Sequence, residues 1–349
     1  MRNPLRGIRQ RAARRHYMPR PRIMKASTTA YVAVALLVLI LGAAALLDLG
    51  GASEVEEALA SELRARAGDP LALVERAGRA HRFVFLADIA GTDSPERFAA
   101  DAIARLALGP GLDAVALFVD ERAQPAIDRY LATDPEDVAP LLASREALDP
   151  DGGGSGYMAL YRRIRAINDT LGADRRIRIV ALAPAGASVT SPARAATLFA
   201  ERDERMLASI DRRILDRQPR ARILFLVDGL SAMRVGGGVV QTGGTARIRT
   251  TWLAARLAER TPGEVFSILV DAPGGSPRAG SAASYTGTAA RDIARGALGG
   301  RTAAIRVAES FRIGGPPVRW ASAPGLALEL VPAGLTMDRV ADAYLYLGR

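Results

Sequence analysis

The order of apolar and polar residues divides this chain into two parts. An uninterrupted apolar run extends from Ala30 to Leu47, and Thr28 and Thr29 lengthen it to about twenty residues, enough at about 1.5 Å per residue to cross a hydrocarbon core of about 30 Å. After this run, short apolar segments alternate with amphipathic ones. The pattern therefore predicts one membrane-spanning helix over residues 28–47 and a globular part behind it.

The residues before the apolar run indicate its orientation. No acidic side chain precedes it, and nine basic ones do: Arg2, Arg6, Arg9, Arg11, Arg14, Arg15, Arg20, Arg22 and Lys25. Basic flanks stay in the cytoplasm, so residues 1–27 are expected to be a cytoplasmic tail and everything after Asp48 to lie outside. A cleaved secretory signal is the alternative, with a cleavage site in the small-residue stretch Gly42–Ala45. The long tail, and the continuation of the run beyond Gly42, favour an uncleaved signal anchor.

Residues 48–80 are predicted to form a helical stalk or lead-in with a break at Gly68-Asp69-Pro70. Strands and helices alternate from there, which favours an α/β domain over residues 81–349, with a mostly parallel sheet covered by helices on both faces. Three glycine-rich stretches are predicted to be loops: Gly152–Gly156, Gly236–Gly244 and Gly274–Gly280. The predicted strands are His81–Asp88, Ala114–Val119, Ile177–Leu182, Ile223–Val227, Val265–Val270 and Ala343–Leu347. The predicted helices are Pro95–Leu108 with Ser94 as N-cap, Ala126–Leu131, Met158–Leu171, Ala195–Gln218 and Thr250–Glu259.

Composition excludes several kinds of chemistry. The formal net charge is +10, from 47 basic and 37 acidic residues. The nine basic residues of the tail account for nearly all of that excess, so the domain is close to neutral and we expect no nucleic-acid partner. The chain has no cysteine, which excludes disulfides and thiolate chemistry. Lys25 is the only lysine and His81 the only histidine after the tail, which excludes a Schiff base or P-loop lysine in the domain.

Several short segments together resemble one known superfamily over roughly residues 80–348. The haem-binding and erythromycin esterase-like superfamily (ChaN-, EreA- and Tiki-type proteins) typically has a Gly-Glu-x-His-Gly pattern after its first strand. It has Ala-Leu-Glu after its second strand and Gly-Asn-x-His-Ala after a later one. The matching residues here are Leu86, Ile89, Gly91-Thr92, Ala116-Leu117, Gln124-Pro125, Asp128 to Leu131, Arg202-Asp203, Met206, Gly229, Ala232 and Ala341 to Gly348.

The departures from these patterns bear on catalysis. Asp88 stands at the position of the first glutamate and Ala90 at that of the first histidine. Phe118 replaces the second-strand glutamate, and Ser231 the later histidine. Metal binding or histidine-assisted hydrolysis, which the resemblance implies, needs an imidazole as ligand or base. The sequence therefore predicts a degenerate member of the superfamily, a pseudoenzyme without metal or haem cofactor.

Two carboxylates remain as candidates for residual chemistry. Asp88 and Asp228 both stand where a predicted strand ends, and ligands of α/β sheets gather at the carboxyl ends of the strands. Such a pair could hold a hard divalent cation and support a hydrolase, or each Asp could cap the turn that follows it. Asp88, Phe118, Arg202 and Ser231 are the candidate ligand-binding residues, with surface or inter-helix ion pairs as the alternative for Arg202.

Two further residue types are interpreted as structural. His81 precedes the first strand and is expected to be a half-exposed edge residue, and Trp252 and Trp320 are expected to lie in the core or an interface. The prediction for the whole chain is a single-pass protein of the bacterial inner membrane. Its periplasmic domain is expected to bind a small ligand or an envelope protein partner.

Overall fold

The computed structural model describes residue 54 and the ranges 56–88, 92–133, 136–144, 147, 155–185, 192–235, 238–242, 246–273, 283–285, 288–309, 319–320, 326–330 and 336–348. The predicted tail and the predicted span over 28–47 lie outside these ranges. Within them, no helix is both long enough and apolar enough to cross a membrane. Residues from Ala52 onward form one compact unit.

Helices and strands alternate through most of this unit. The helices are α1 (56–66), α2 (Pro70–Ala80), α3 (Ser94–Leu108), α4 (Gln124–Ala132), α5 (Ala139–Leu142), α6 (Ser155–Thr170), α7 (Pro192–Ile210), α8 (Gly229–Ala232), α9 (Leu253–Arg260), α10 (Ala290–Leu298) and α11 (Met337–Val340). The strands are β1 (Phe83–Asp88), β2 (Ala114–Asp120), β3 (Arg178–Ala183), β4 (Ile223–Asp228), β5 (Gly238–Thr242), β6 (Ala246–Thr250), β7 (Val265–Asp271), β8 (Ala283–Tyr285), β9 (Thr288–Ala289), β10 (Ala303–Arg306), β11 (Arg319–Trp320), β12 (Leu326–Leu330) and β13 (Ala343–Tyr346). A π-helical turn, Asp211–Leu215, extends α7, and three short 3-10 turns cover Glu121–Ala123, Ala173–Arg175 and Val307–Glu309.

Seven strands form the main sheet in the order β10-β13-β7-β1-β4-β2-β3. All neighbours are parallel except β10 and β13, which pair antiparallel. Every side chain of β4 and of β7 is buried. Because successive side chains of a strand point to opposite faces, both faces of the sheet are covered at these strands. The predicted α/β class with a mostly parallel sheet is thus confirmed.

The six predicted strands all exist, with boundaries shifted by at most two residues. The predicted helices exist too, but Ser94 lies inside α3 and Asp93 occupies the N-cap position. The predicted helix Ala195–Gln218 changes to π geometry at Asp211. These shifts are of the size expected where a cap or a final turn sets the end of an element.

Two small antiparallel sheets were not predicted. One has the order β12-β5-β6 and the other β11-β8-β9. Strand β5 lies within the stretch Gly236–Gly244, so the prediction of a loop there was wrong. Strand β6 also includes Thr250, which had been assigned to a helix. These strands are five residues each and carry no continuous apolar run, and the local pattern does not show that β5 pairs with the distant β12 and with β6.

The lead-in helices belong to the folded unit. Leu59 and Leu63 of α1, and Leu73 and Val74 of α2, are buried in the main hydrophobic core. Gly68, in the break between the two helices, forms an antiparallel bridge with Ala304 of β10. The helical prediction for this region is confirmed where it is described. The boundary drawn at residue 80 is not a boundary of the fold, because apolar side chains on both sides of it share one core.

Candidate functional site

Four strands of the main sheet end in aspartate at the same edge. Asp88, Asp120, Asp228 and Asp271 are the last residues of β1, β2, β4 and β7. Asp88 and Asp228 are direct partners in the register of the adjacent strands β1 and β4. Neighbouring strands lie about 4.8 Å apart, so the backbones of these two candidates are side by side. The carboxyl edge of the sheet is therefore the place to look for a site.

A buried polar cluster occupies this edge at the end of β4. It consists of Arg202 and Asp203 from α7, Asp228 from β4 and Ser231 from α8. Asp203 and Ser231 are fully buried, and Asp228 and Arg202 are 2% and 6% exposed. Met206 and Ile210, one and two turns after Arg202, are also fully buried. The face of α7 that packs inward thus carries both the arginine and the apolar residues that fix its position.

Arg202 and Ser231 connect the cluster. The Arg202 Nη2 donates to Ser231 Oγ at 2.9 Å and to Asp228 Oδ1 at 3.3 Å, and its Nε lies 3.4 Å from Asp203 Oδ1. Ser231 Oγ is 2.8 Å from both Asp203 Oδ1 and Asp228 Oδ2. Each member thus has at least two of the others as partners, and its removal would leave buried polar groups with a contact missing.

The number of protons in the cluster follows from these contacts. Ser231 has one hydroxyl proton and can donate it to only one of its two carboxyl neighbours. The other 2.8 Å contact needs a proton on a carboxyl group. Asp203 has fewer hydrogen bonds than Asp228, because its Oδ2 has no partner among the described residues, and it is the better candidate to carry this proton. Burial raises the pKa of Asp203; the Arg202 guanidinium opposes this rise and the charge of Asp228 adds to it.

Asp228 has the contacts of an ionised carboxylate. Its Oδ1 accepts hydrogen bonds from the backbone N–H groups of Leu230 and Ser231, at 3.1 and 3.2 Å, and so caps helix α8. Together with the bonds from Arg202 and Ser231, these contacts use most of its acceptor capacity. The capping role, which the sequence left as an alternative to cation binding, is the one that Asp228 has in the structure.

Phe118 lies against the cluster. The Arg202 guanidinium carbon is 5.4 Å from the centroid of the Phe118 ring, within the range of a cation–π contact. Phe118 is partly buried and packs on the main core. At the end of β2, where the resemblance places a glutamate, an apolar ring thus contacts a buried arginine.

The structure brings four of the five candidate residues into one cluster. Phe118, Arg202, Asp228 and Ser231 are in contact through Arg202. The ion pairs considered for Arg202 exist, with Asp203 and Asp228, but they are buried and the surface location was wrong. Asp88 is placed by its backbone beside Asp228, and its side chain, like the whole of Ala90, lies outside what is described. No group of three or more His, Cys, Asp or Glu side chains that could hold a metal ion occurs among the described residues.

His81 is far from this cluster. It precedes β1 at the amino end of the strand, while Ser231 follows the carboxyl end of the parallel strand β4. The strand between them is roughly 20 Å long at about 3.3 Å per residue. The His81 Nδ1 donates to the Gly263 carbonyl oxygen at 2.8 Å, and the ring lies on Phe266. His81 is partly buried at the edge, as predicted, and does not serve Ser231 as a base.

Two polar residues of this edge were missed by the sequence reasoning. Asp203 was not included among the candidate site residues, although it precedes Met206 and Ile210 by three and seven residues and so falls on the apolar stripe of α7. Asp271 extends the predicted strand β7 by one residue. It is 8% exposed, and its Oδ2 accepts a hydrogen bond from the Tyr344 hydroxyl at 2.9 Å. The signal that could have identified Asp203 is an acidic residue at an apolar position of a helix.

Comparison with solved structures identifies the fold. A mutant of the erythromycin esterase EreC in its open conformation matches with a TM-score of 0.53 at 11% sequence identity, covering 79% of this chain and 92% of that one. The fold is that of the erythromycin esterase-like proteins. A Bacillus cereus protein matches with a TM-score of 0.56 at 9% identity, covering 84% of this chain and 97% of that one. A succinoglycan biosynthesis protein matches with a TM-score of 0.53 at 8% identity and the same coverages, 84% and 97%.

Sequence comparison adds no closer relative. No family model matches the chain, and no curated protein does. The superfamily resemblance derived from short motifs is thus supported at the level of the fold. At 8–11% identity the erythromycin esterase-like fold does not carry over an activity, because one fold serves many sites. Function has to be argued from the cluster itself.

Proposed function

We propose that this chain is a catalytically inactive, membrane-tethered relative of the erythromycin esterase-like proteins that binds a ligand or an envelope protein partner. The observation that carries the proposal is the closed cluster at the end of β4. Arg202 is bonded to Ser231 and Asp228, Phe118 lies against it, and no imidazole of the described residues is near. A reacting group needs to reach its substrate and to exchange a proton with a base. In this cluster the charged groups are already ion-paired and hydrogen-bonded with one another, which leaves them unavailable to a substrate.

Activity and cofactor content test the inactive state. The purified protein is assayed with erythromycin and with p-nitrophenyl esters, beside Ser231→Ala and Asp228→Asn variants. Its metal and haem content are measured by elemental analysis and absorbance. We expect hydrolysis equal to that of both variants and no stoichiometric metal or haem. Hydrolysis by the wild type that both variants lose would overturn the proposal.

Topology is tested separately. The basic tail and the apolar run predict that residues after Asp48 are periplasmic in the bacterial inner membrane. Alkaline phosphatase, which is active only in the periplasm, is fused after Lys25 and after Arg349. We expect an active fusion at the second site and an inactive one at the first. Activity of the first fusion alone would refute the orientation.

The alternative function is a hydrolase dependent on a divalent cation held by Asp88 and Asp228. The observation in its favour is their pairing in register on adjacent strands. The bonds that Asp228 already accepts count against it, because a cation would have to displace Arg202 or uncap α8. Calorimetric titration of the protein with Mg²⁺ and Ca²⁺ decides between the two. We expect no binding, whereas binding abolished by Asp88→Asn would favour the hydrolase.

A further inference from the structure

A second polar site lies at the opposite end of the sheet, away from the cluster. It is a pocket of about 490 Å³, within the range of about 300–1,000 Å³ that is usual for small-molecule sites. The pocket lies beside residues 176–180, at the amino end of β3, with the end of α4, the end of α6 and the turn after α7 forming its sides. β3 is the last strand of the sheet, so its outer edge pairs with no further strand among the described residues.

The walls of this pocket are strongly cationic. Six arginines line it against two aspartates, Asp128 and Asp169, which leaves an excess of four positive charges in a domain that is nearly neutral overall. The arginines are Arg165, Arg176, Arg178, Arg212, Arg213 and Arg217. A concave surface with one sign of charge focuses its field on the enclosed space and attracts ions of opposite charge.

Most of these arginines have no carboxylate partner within the described part of the chain. Arg176, Arg212, Arg213 and Arg217 take part in none of its ion pairs, whereas thirteen other arginines do. Arg178 donates to the Arg213 carbonyl oxygen and to Gln218, both neutral acceptors. Their positive charges are therefore not neutralised by the described residues around them.

Arg165 is the buried arginine of the set. It is only 7% exposed, and its two terminal nitrogens donate to the carbonyl oxygens of Tyr130 and Thr133. Its Nε has no acceptor among the described residues. A buried guanidinium held only by neutral carbonyls adds its positive charge to the field in the adjacent pocket, and this favours an anion there.

The backbone that presents two of the arginines is itself unusual. Arg212 and Arg213 belong to the π-helical turn Asp211–Leu215 at the end of α7. Such turns are rare, and they occur frequently at functional sites because the widened backbone redirects side chains. Arg217 follows within one turn. The irregular geometry thus places exposed arginines at the mouth of the pocket.

We propose that this pocket binds a small polyanion with two or more phosphate groups. Arginine suits such a ligand, because its planar guanidinium matches phosphate oxygens bidentately and stays charged at any physiological pH. A single phosphate would leave most of the excess charge unmatched. The phosphate groups could belong to a soluble compound or to phospholipid headgroups, and the two sources are separated by the test.

Calorimetric titration of the full-length protein, kept in a non-ionic detergent, tests the proposal. The probes are sodium tripolyphosphate and, separately, detergent micelles containing phosphatidylglycerol. The variant Arg212→Gln/Arg217→Gln removes two exposed arginines of the pocket. The matched control, Arg175→Gln/Arg220→Gln, removes the same charge from two exposed arginines that lie nearby in sequence and do not line the pocket.

We expect the wild type to bind one probe at about 150 mM salt. The pocket variant should bind at least about tenfold more weakly, because it loses two charge-assisted contacts, while the control should change less than about twofold. Tripolyphosphate binding with this pattern indicates a soluble ligand, and micelle binding with this pattern indicates headgroups. Absence of binding to both probes, or equal loss in both variants, would overturn the proposal. This test is independent of whether the cluster at the other end is catalytic.

Discussion

Asp271 provides a quantitative test of how burial controls charge in this fold. It is the last residue of β7, 8% exposed, and it accepts a hydrogen bond from Tyr344. Burial raises the pKa of Asp271 from its ordinary value of 3.8 to about 7, although the Tyr344 bond and the nearby Arg291 lower it. A tenfold change in an acid dissociation constant corresponds to about 1.4 kcal/mol, so the whole difference corresponds to about 4 kcal/mol.

The direction of the effect follows from proton binding. Below about pH 4 the carboxyl group is protonated in the folded and the unfolded chain alike. As the pH rises toward 7, the unfolded chain releases this proton while the folded chain retains it, which favours unfolding progressively. Above about pH 7 the folded chain carries a buried charge, and the free energy of unfolding has decreased by the full amount. The contribution of Asp271 to the free energy of unfolding therefore decreases between about pH 4 and about pH 7.

The substitution Asp271→Asn removes this dependence and keeps an acceptor for Tyr344. Guanidinium unfolding of the wild type and the variant is compared between pH 4.5 and 8. We expect the variant to gain stability relative to the wild type as the pH rises, by up to about 4 kcal/mol at pH 8. Asp216→Asn, at an exposed position, is the control and should show no such trend. A difference between Asp271→Asn and wild type that stays constant over this range would refute the reasoning.

Three further predictions concern buried polar contacts, each measured as the free energy of unfolding. Arg202→Met should cost about 3–5 kcal/mol, because it leaves Asp228 as an uncompensated buried charge. The loss should be smaller in the background of Asp228→Asn, and additive losses would contradict the pairing of the two residues. Asp203→Asn should cost less than Asp228→Asn, for which we expect about 3 kcal/mol, because burial raises the pKa of Asp203 whereas Asp228 is ion-paired with Arg202 and caps α8. Equal losses would contradict this difference between the two carboxyl groups. Gln124→Leu should cost about 1–3 kcal/mol, because the Gln124 side-chain amide donates to the Ile179 carbonyl oxygen and accepts from the Ala181 N–H of β3, both at 2.8 Å. An unchanged denaturation midpoint would show that water replaces the amide.

The strands of the main sheet that the sequence predicted share one property. Runs such as the five apolar residues Ile223–Val227 are buried on both faces, and a continuous apolar run shows that state locally. Strands β5 and β6 carry no such run. β5 pairs with β6 on one side and on the other with β12, which lies about eighty residues further on in the sequence. The one glycine and two threonines of β5 and β6 are typical of loops until these partners are known.

The candidate site shows the same division. Polar residues at strand ends were found because parallel strands bring their carboxyl ends to one edge. Arg202 was included as a candidate through the resemblance. Its neighbour Asp203 was not included, because charged residues are mostly exposed. Asp203 is buried because its face of α7 packs toward β4. The spacing of residues within α7 does not show which residue of β4 lies opposite Asp203.

By itself the sequence determined the kind and order of six strands of the main sheet and of five helices, because helical and strand periods are local properties of neighbouring residues. It also predicts the basic tail and the span over residues 28–47 from charge and hydropathy alone. Only the tertiary structure decided that β1 lies beside β4, which sets Asp88 next to Asp228 across 140 positions of the sequence. It also decided which charges are buried together. Strand order and burial arise from packing between distant segments, and that packing is a property of the whole chain.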